Sequence, residues 1–105
     1  MPSATPPPNP AQLMRIVRRL AATQSWDHTK HALERMAQRG FDDRHIRSVL
    51  LLGEIAGPPE PAQRKGDWRI KVVGAMDRGN RKIGVMTVVM RAERLLIVTT
   101  EWEDR

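Results

Sequence analysis

Apolar residues in the first half of the chain recur every three or four positions, which is the spacing of amphipathic helices. The first helix is predicted over residues 10–23, with Asn9-Pro10 as its N-cap and first-turn proline. A second is predicted over residues 29–39, and a third from residue 42 or 43 to residue 52. Only a few residues separate the last two helices, so we expect them to form a helical hairpin.

The pattern changes in the second half of the chain. Residues 53–67 contain Gly-Pro-Pro-Glu-Pro and are predicted to be a loop. Beyond them, Val and Ile become frequent and partly alternate with polar residues, which is typical of strands. A turn is expected at residues 77–80 and another at Ala92-Glu93. Three strands are therefore predicted, over residues 68–73, 82–90 and 94–101.

This order of elements predicts an α+β fold in which N-terminal helices pack on one face of an antiparallel meander of three or more strands. Residues 1–9 hold four of the eight prolines and are predicted to form a flexible arm. Residues 10–105 are then long enough for a single domain. The first helix is expected to complete the core of that domain, because lone amphipathic helices are stabilised mainly by packing.

The composition narrows the classes of function. Eighteen Lys and Arg residues oppose twelve Asp and Glu residues, a net charge of +6, and arginine greatly outnumbers lysine. Guanidinium groups match phosphate oxygens with two parallel donors, so the charge fits a nucleic-acid partner. A role of the charge in solubility explains the same numbers.

Several classes of protein are not expected. The chain has no cysteine and therefore neither a disulfide framework nor a cysteine–zinc site. The pair His28 and His31 lacks a clear third ligand, so we expect no metal and no cofactor. The N-terminus does not have the basic and apolar regions of a secretory signal, and no window is apolar enough for a membrane helix. A cytoplasmic protein without membrane contact is expected.

The strongest candidate for chemistry is a row of basic side chains on the second helix. His31, Arg35 and Arg39 follow at steps of four, and within this helix neither arginine has a carboxylate three or four residues away. A phosphate bound along this row would relieve the repulsion between like charges. The alternative is a solvated helix face, lying opposite the apolar residues that we expect to be buried: Leu33, Met36 and Ala37.

The same helix carries a resemblance to a known family. Residues 30–40, Lys-His-Ala-Leu-Glu-Arg-Met-Ala-Gln-Arg-Gly, resemble the helical signature of the domain-of-unknown-function 4258 family. The resemblance continues in order along the chain and covers residues 28–101. It is carried further by Asp42-Asp43, Leu52-Gly53-Glu54-Ile55, Arg69-Ile70-Lys71-Val72 and Ile97-Val98-Thr99.

The resemblance implies a compact fold similar to the RelE, barnase and colicin ribonuclease group, whose members are often toxins that cleave RNA without metal. Such cleavage needs a proton donor or acceptor and cations at the phosphate. His31 and Arg35 are therefore the expected catalytic residues. The residues expected to bind substrate or phosphate are Arg39, Arg69, Lys71 and Thr99.

The function expected on these grounds is a metal-independent endoribonuclease, the toxin of a toxin–antitoxin system, with RNA as substrate and an antitoxin protein as partner. One departure leaves alternatives open. The chain has no tyrosine, which related ribonucleases often place near the reacting phosphate. A non-catalytic nucleic-acid-binding module, or a degenerate toxin that serves as a protein-interaction domain, would also explain the basic surface.

Overall fold

The protein is α+β, with a sheet that is open at its edges. The computed structural model describes residues 8–75 and 81–103, so residues 1–7 of the predicted arm and the predicted turn at 77–80 lie outside the described residues. The helices are α1 (Pro10–Ala22), α2 (Lys30–Arg39) and α3 (Asp43–Leu52). The strands are β1 (Trp26–His28), β2 (Glu54–Ile55), β3 (Glu60–Pro61), β4 (Trp68–Ala75), β5 (Lys82–Met90) and β6 (Arg94–Trp102).

The three helices begin at polar N-caps, close to the predicted positions. The Asn9 side chain accepts from the Ala11 N–H at 2.7 Å, and Thr29 Oγ1 accepts from the Ala32 N–H at 3.0 Å. Gly40 ends α2 in the left-handed conformation, with φ of 74°. These caps provide partners for backbone groups that a helix end leaves without intrahelical bonds.

The cap of α3 is reciprocal. Asp42 Oδ1 accepts from the backbone N–H groups of Arg44 at 2.8 Å and His45 at 3.3 Å, while His45 Nδ1 accepts from the Asp42 N–H at 3.0 Å. The hydrogen bond from the Arg44 guanidinium is the main cause that lowers the pKa of Asp42. Desolvation has a smaller, opposite effect on this pKa, and the hydrogen bonds from the backbone N–H groups of His45 and Arg44 lower it further.

We expect Asp42→Ala to destabilise the fold by about 1 kcal/mol near neutral pH, since it removes an N-cap. Because the folded state lowers the pKa of Asp42, the ionised carboxylate makes its full contribution to stability at pH values above its ordinary pKa of 3.8. This contribution is lost as pH falls through the lowered pKa. Urea unfolding at several pH values measures it, and Asp42→Asn, which keeps an acceptor, is the matched control. Equal stability of Asp42→Ala and wild type would contradict the role of the cap.

The predicted meander is confirmed as β4–β5–β6, and further strands extend it. The sheet order is β1-β6-β5-β4-β2, with β3 also beside β4. β1 pairs with β6 in parallel, and the other pairs are antiparallel. The prediction that residues 53–67 are entirely loop is wrong, because β2 and β3 lie within them. Two-residue strands show no alternation in the sequence, and they form here because β4 offers a free edge.

The helices cover one face of the sheet. Their apolar sides and alternate strand residues form one core, to which α1 contributes five side chains, so the prediction that α1 completes the core is confirmed. The opposite face, which we call the uncovered face, carries apolar side chains that are only half-buried: Met86, Val88, Met90, Leu96 and Val98. A β-bulge beside Met86 and Thr87 leaves Val98 as the extra residue on β6.

None of the helices in residues 8–75 and 81–103 is long and apolar enough to cross a membrane.

Candidate nucleic-acid interface

Helix α2 lies directly beside the last strand of the meander. The Thr29 backbone N–H donates to the Ile97 carbonyl at 2.9 Å, and Thr29 Oγ1 donates to the Val98 carbonyl at 3.1 Å. The same Thr29 hydroxyl oxygen caps α2. One residue therefore fixes both the start of the helix and its position against β6.

The orientation of α2 differs from the expected one. Ala32 and Met36 are buried, whereas Leu33 is 51% exposed and Ala37 is also exposed, so the prediction that Leu33 and Ala37 are buried is wrong. The Thr29 anchor turns the Ala32 side of the helix toward the core. The basic row consequently lies beside the packed side of α2 and not opposite it.

His31, Arg35 and Arg39 form the row along α2 that the sequence predicts. His31 is exposed, and both arginines are half-buried along the border of the packed side. Arg35 Nε lies 3.5 Å from His31 Nε2, and Arg35 Nη1 donates to Gln38 Oε1 at 3.1 Å. The imidazole and the first guanidinium are thus neighbours, and Gln38 is a positioning partner that the sequence did not reveal.

No carboxylate of the described part of the chain lies within ion-pair distance of these three side chains. Other arginines of the described residues do form such ion pairs, as Arg19 does with Glu93 and Arg94 does with Asp27. Positive charge that no acid offsets is available to a bound anion. The row therefore has the electrostatic character of a phosphate-binding surface.

Arg39 lines the far end of this surface. It borders a shallow depression of about 590 Å³ together with Gln38, Glu101 and Trp102. Arg39 Nη1 is covered by the surrounding atoms and has no hydrogen-bond acceptor among the described residues. A covered donor without an acceptor is unfavourable, because its desolvation is not compensated by a hydrogen bond.

Lys71 and Thr99 are brought into one row across the uncovered face, where both pair with Met86 of the central strand. The Lys71 ammonium is bound by two carboxylates, Glu101 at 3.1 Å and Glu103 at 2.8 Å. The hydrogen bond that the Lys71 ammonium donates to Glu103 is the main cause that raises the pKa of Lys71. Partial burial opposes this effect, and Glu101 adds to it. Its charge is therefore offset in this structure.

Arg69 lies on the same face as Lys71, two residues earlier on β4, and its guanidinium is 3.6 Å from a Glu60 carboxylate oxygen. Both side chains of this pair are about half exposed, so the pair is screened by solvent. Arg69 also lines a groove of about 500 Å³ on the uncovered face. The floor of that groove is formed by the apolar side chains of Val88, Met90, Leu96 and Val98.

The sequence did not reveal this groove. In the sequence, each residue of the floor has the apolar character of an ordinary strand residue. These residues are accessible only because the helices all pack on the other face of the sheet. The nearest signal is the Val and Ile content of both faces of β5, which also fits a sheet covered on both sides. Glu103, the closer partner of Lys71, also gave no signal, because strand-end acids are usually solvated.

The fold and this surface define a basic α+β domain with one face of its sheet open and, beside β6, a basic row that pairs with no carboxylate of the described residues. The family model described as Domain of unknown function (DUF4258) matches residues 28–102, and the chain belongs to this family. No curated protein and no solved structure matches the chain. Helix α1 precedes the matched range but packs into the same core.

Proposed function

We propose that the chain is a metal-independent endoribonuclease of the toxin type, with a fold of the RelE and barnase kind. The observation that carries the proposal is the row of His31, Arg35 and Arg39, which no carboxylate of the described residues neutralises. An imidazole in contact with a guanidinium, beside an accessible sheet face, supplies both parts that the reaction needs. A toxin of this type would act on cellular RNA and be held inactive by an antitoxin protein.

The reaction that fits these groups is transesterification at an RNA phosphodiester. A base removes the proton of the ribose 2′-hydroxyl, O2′ attacks phosphorus, and the P–O5′ bond breaks with protonation of O5′. The products are a 2′,3′-cyclic phosphate and a 5′-hydroxyl. His31 is the group in the row that accepts and returns a proton, while Arg35 and Arg39 stabilise the negative charge that develops on the phosphoryl oxygens.

The proposal is tested with purified full-length chain and single-stranded RNA in the presence of a chelator. We expect discrete products on a denaturing gel, because no step requires a metal. Intact RNA after prolonged incubation at high enzyme concentration would contradict the proposal.

The double variant Arg35→Ala/Arg39→Ala should weaken RNA binding and its dependence on salt. Each lost phosphate contact lowers the slope of log affinity against log salt by about 0.7 for single strands, so about 1.4 is expected for two. Fluorescence anisotropy with a non-cleavable 2′-O-methyl RNA measures this slope. Arg15→Ala/Lys82→Ala removes two exposed charges elsewhere and is the matched control. An equal slope for both double variants would contradict a role of the row in phosphate binding.

A second candidate function is a nucleic-acid-binding module without catalysis. It is favoured by the two carboxylates on Lys71, which remove one expected cation, and by the absence of tyrosine. This module would bind the same RNA with the same loss of affinity in Arg35→Ala/Arg39→Ala, and it would release no product. Salt-dependent binding without cleavage distinguishes it from the ribonuclease.

A further inference from the structure

A second group of basic side chains lies where β4 begins and β5 ends. Arg64 and Lys65 from the loop after β3, and Arg91 from the turn after β5, line one depression of about 530 Å³. Trp68, at the start of β4, forms part of its wall. We call these four residues the loop cluster. The sequence analysis assigned none of them a role, because Arg91 is distant from the other three in the chain.

The backbone of the loop cluster is fixed by Asp67. This residue is only 8% exposed, and its Oδ1 accepts from the Arg91 backbone N–H at 2.8 Å. Its backbone closes the loop on both sides, since the Asp67 N–H donates to the Arg64 carbonyl and its carbonyl accepts from the Ala62 N–H, both at 3.0 Å. Gly66 makes the turn with a φ of 91°. The loop and the turn after β5 are thus joined by hydrogen bonds.

The cations of the loop cluster have no acidic partner. In the part of the chain that the structure describes, no carboxylate lies within ion-pair distance of Arg64, Lys65 or Arg91. The one acid that lines the depression is Asp67, and its carboxylate is engaged with a backbone N–H. Three positive charges around an aromatic side chain suit a nucleotide, whose phosphate binds cations and whose base stacks on rings.

The groove on the uncovered face extends from the loop cluster to β6, the strand against which α2 is anchored. Arg64 and Asp67 line both the depression and the groove. At its other side the groove reaches Val98, whose carbonyl accepts the Thr29 hydroxyl hydrogen bond that anchors α2. Arg69, Val88 and Leu96 lie in one cross-strand row beneath it, and three neighbouring strands span about 10 Å.

We infer that the loop cluster is a second anchoring site for the single-stranded RNA that the α2 row holds, with the bases between them lying on the apolar floor of the groove. The inference rests on the proposed function for the identity of the ligand. Cations at both ends and apolar side chains between them match the alternation of phosphates and base faces in a single strand. The loop cluster therefore contributes affinity for RNA that is long enough to cross the sheet, and not for a dinucleotide.

The test compares Arg64→Ala/Lys65→Ala with the control Arg15→Ala/Lys82→Ala, which has the same net charge. Both loop side chains are exposed, so both proteins should fold. Fluorescence anisotropy in the presence of a chelator measures the binding of a labelled 2′-O-methyl RNA. The RNA has about eight nucleotides, a length that a small domain covers. We expect the loop variant to bind about tenfold more weakly and to lose about 1.4 from the salt slope, while the control changes little.

The outcomes separate this inference from the proposed function. If the loop variant cleaves a dinucleotide as wild type does but binds the longer RNA more weakly, the result supports both the anchoring site and the proposed function. Equal binding of the longer RNA by the loop variant and the control overturns the inference, and it would assign the cluster to an acidic protein surface or to solubility. If wild type cleaves no RNA, the proposed function fails, and a selective loss of binding in the loop variant still supports the anchoring site.

Discussion

Replacement of His31 by alanine should lower the rate of RNA cleavage by about 10²–10⁴, which is the range for a proton-transfer group. His31 is exposed, and within residues 8–75 and 81–103 the one hydrogen-bond contact of its side chain is the 3.5 Å approach of Arg35, so the variant should keep the fold. The measurement is the initial rate on a single-stranded RNA in chelator, with circular dichroism and thermal unfolding recorded on the same samples.

Lys30→Ala is the matched control for His31→Ala. Lys30 is the neighbouring residue at the start of α2, it is also exposed, and it does not belong to the row. We expect a rate within about twofold of wild type, because one exposed cation removed outside the site changes mainly long-range attraction. Cleavage by His31→Ala at the rate of the control would remove His31 from the mechanism and leave the arginines as binding groups only.

The second large effect concerns the fold. Gly53→Ala should reduce the free energy of unfolding by about 3 kcal/mol, at the upper end of the usual cost of overpacking. A Cβ at this position would lie 2.5 Å from the Val73 carbonyl oxygen and 2.6 Å from the Val49 carbonyl oxygen. Gly74 faces Gly53 so closely that a Cβ on Gly74 would lie 2.9 Å from the Gly53 Cα. The end of α3 and strand β4 therefore approach through two glycines.

Urea unfolding measures this cost, with Leu52→Ala as the control. Leu52 is adjacent in the chain and 79% exposed, so its truncation should change stability by less than about 0.5 kcal/mol. Because the clash is with backbone oxygen atoms rather than flexible side chains, it cannot be relieved without moving α3 from the sheet. A Gly53→Ala protein as stable as Leu52→Ala would contradict the close approach.

The elements with strong local signals are those that the sequence predicts well. Asn9, Thr29 and Asp42 each accept hydrogen bonds at a helix start and Gly40 ends α2, and the helices lie within about a residue of their predicted positions. The long strands β5 and β6 are likewise found at their predicted positions. β1 escapes prediction because its three residues form a strand only through parallel pairing with β6, some seventy residues later in the chain.

The candidate site is predicted less completely, for a physical reason. The spacing of His31, Arg35 and Arg39 is local and survives folding, so the row is found where the sequence places it. The ion pairs of Lys71 depend on Glu101 and Glu103, and the missing side chain of Gly84 leaves room for the contact between Lys71 and Glu103. The rotation of α2 depends on one hydroxyl group bonded to β6. Contacts of that kind have no signature in a single sequence.

The central claim is that the α2 row promotes attack by the ribose 2′-hydroxyl on the neighbouring phosphate. The most direct measurement is analysis of the product ends formed by wild-type protein in chelator from an all-ribose oligonucleotide and from the same sequence with every 2′-hydroxyl methylated. We predict 2′,3′-cyclic phosphate ends from the first substrate and no cleavage of the second. Cleavage of the methylated strand, or 5′-phosphate ends on the products, would contradict the mechanism.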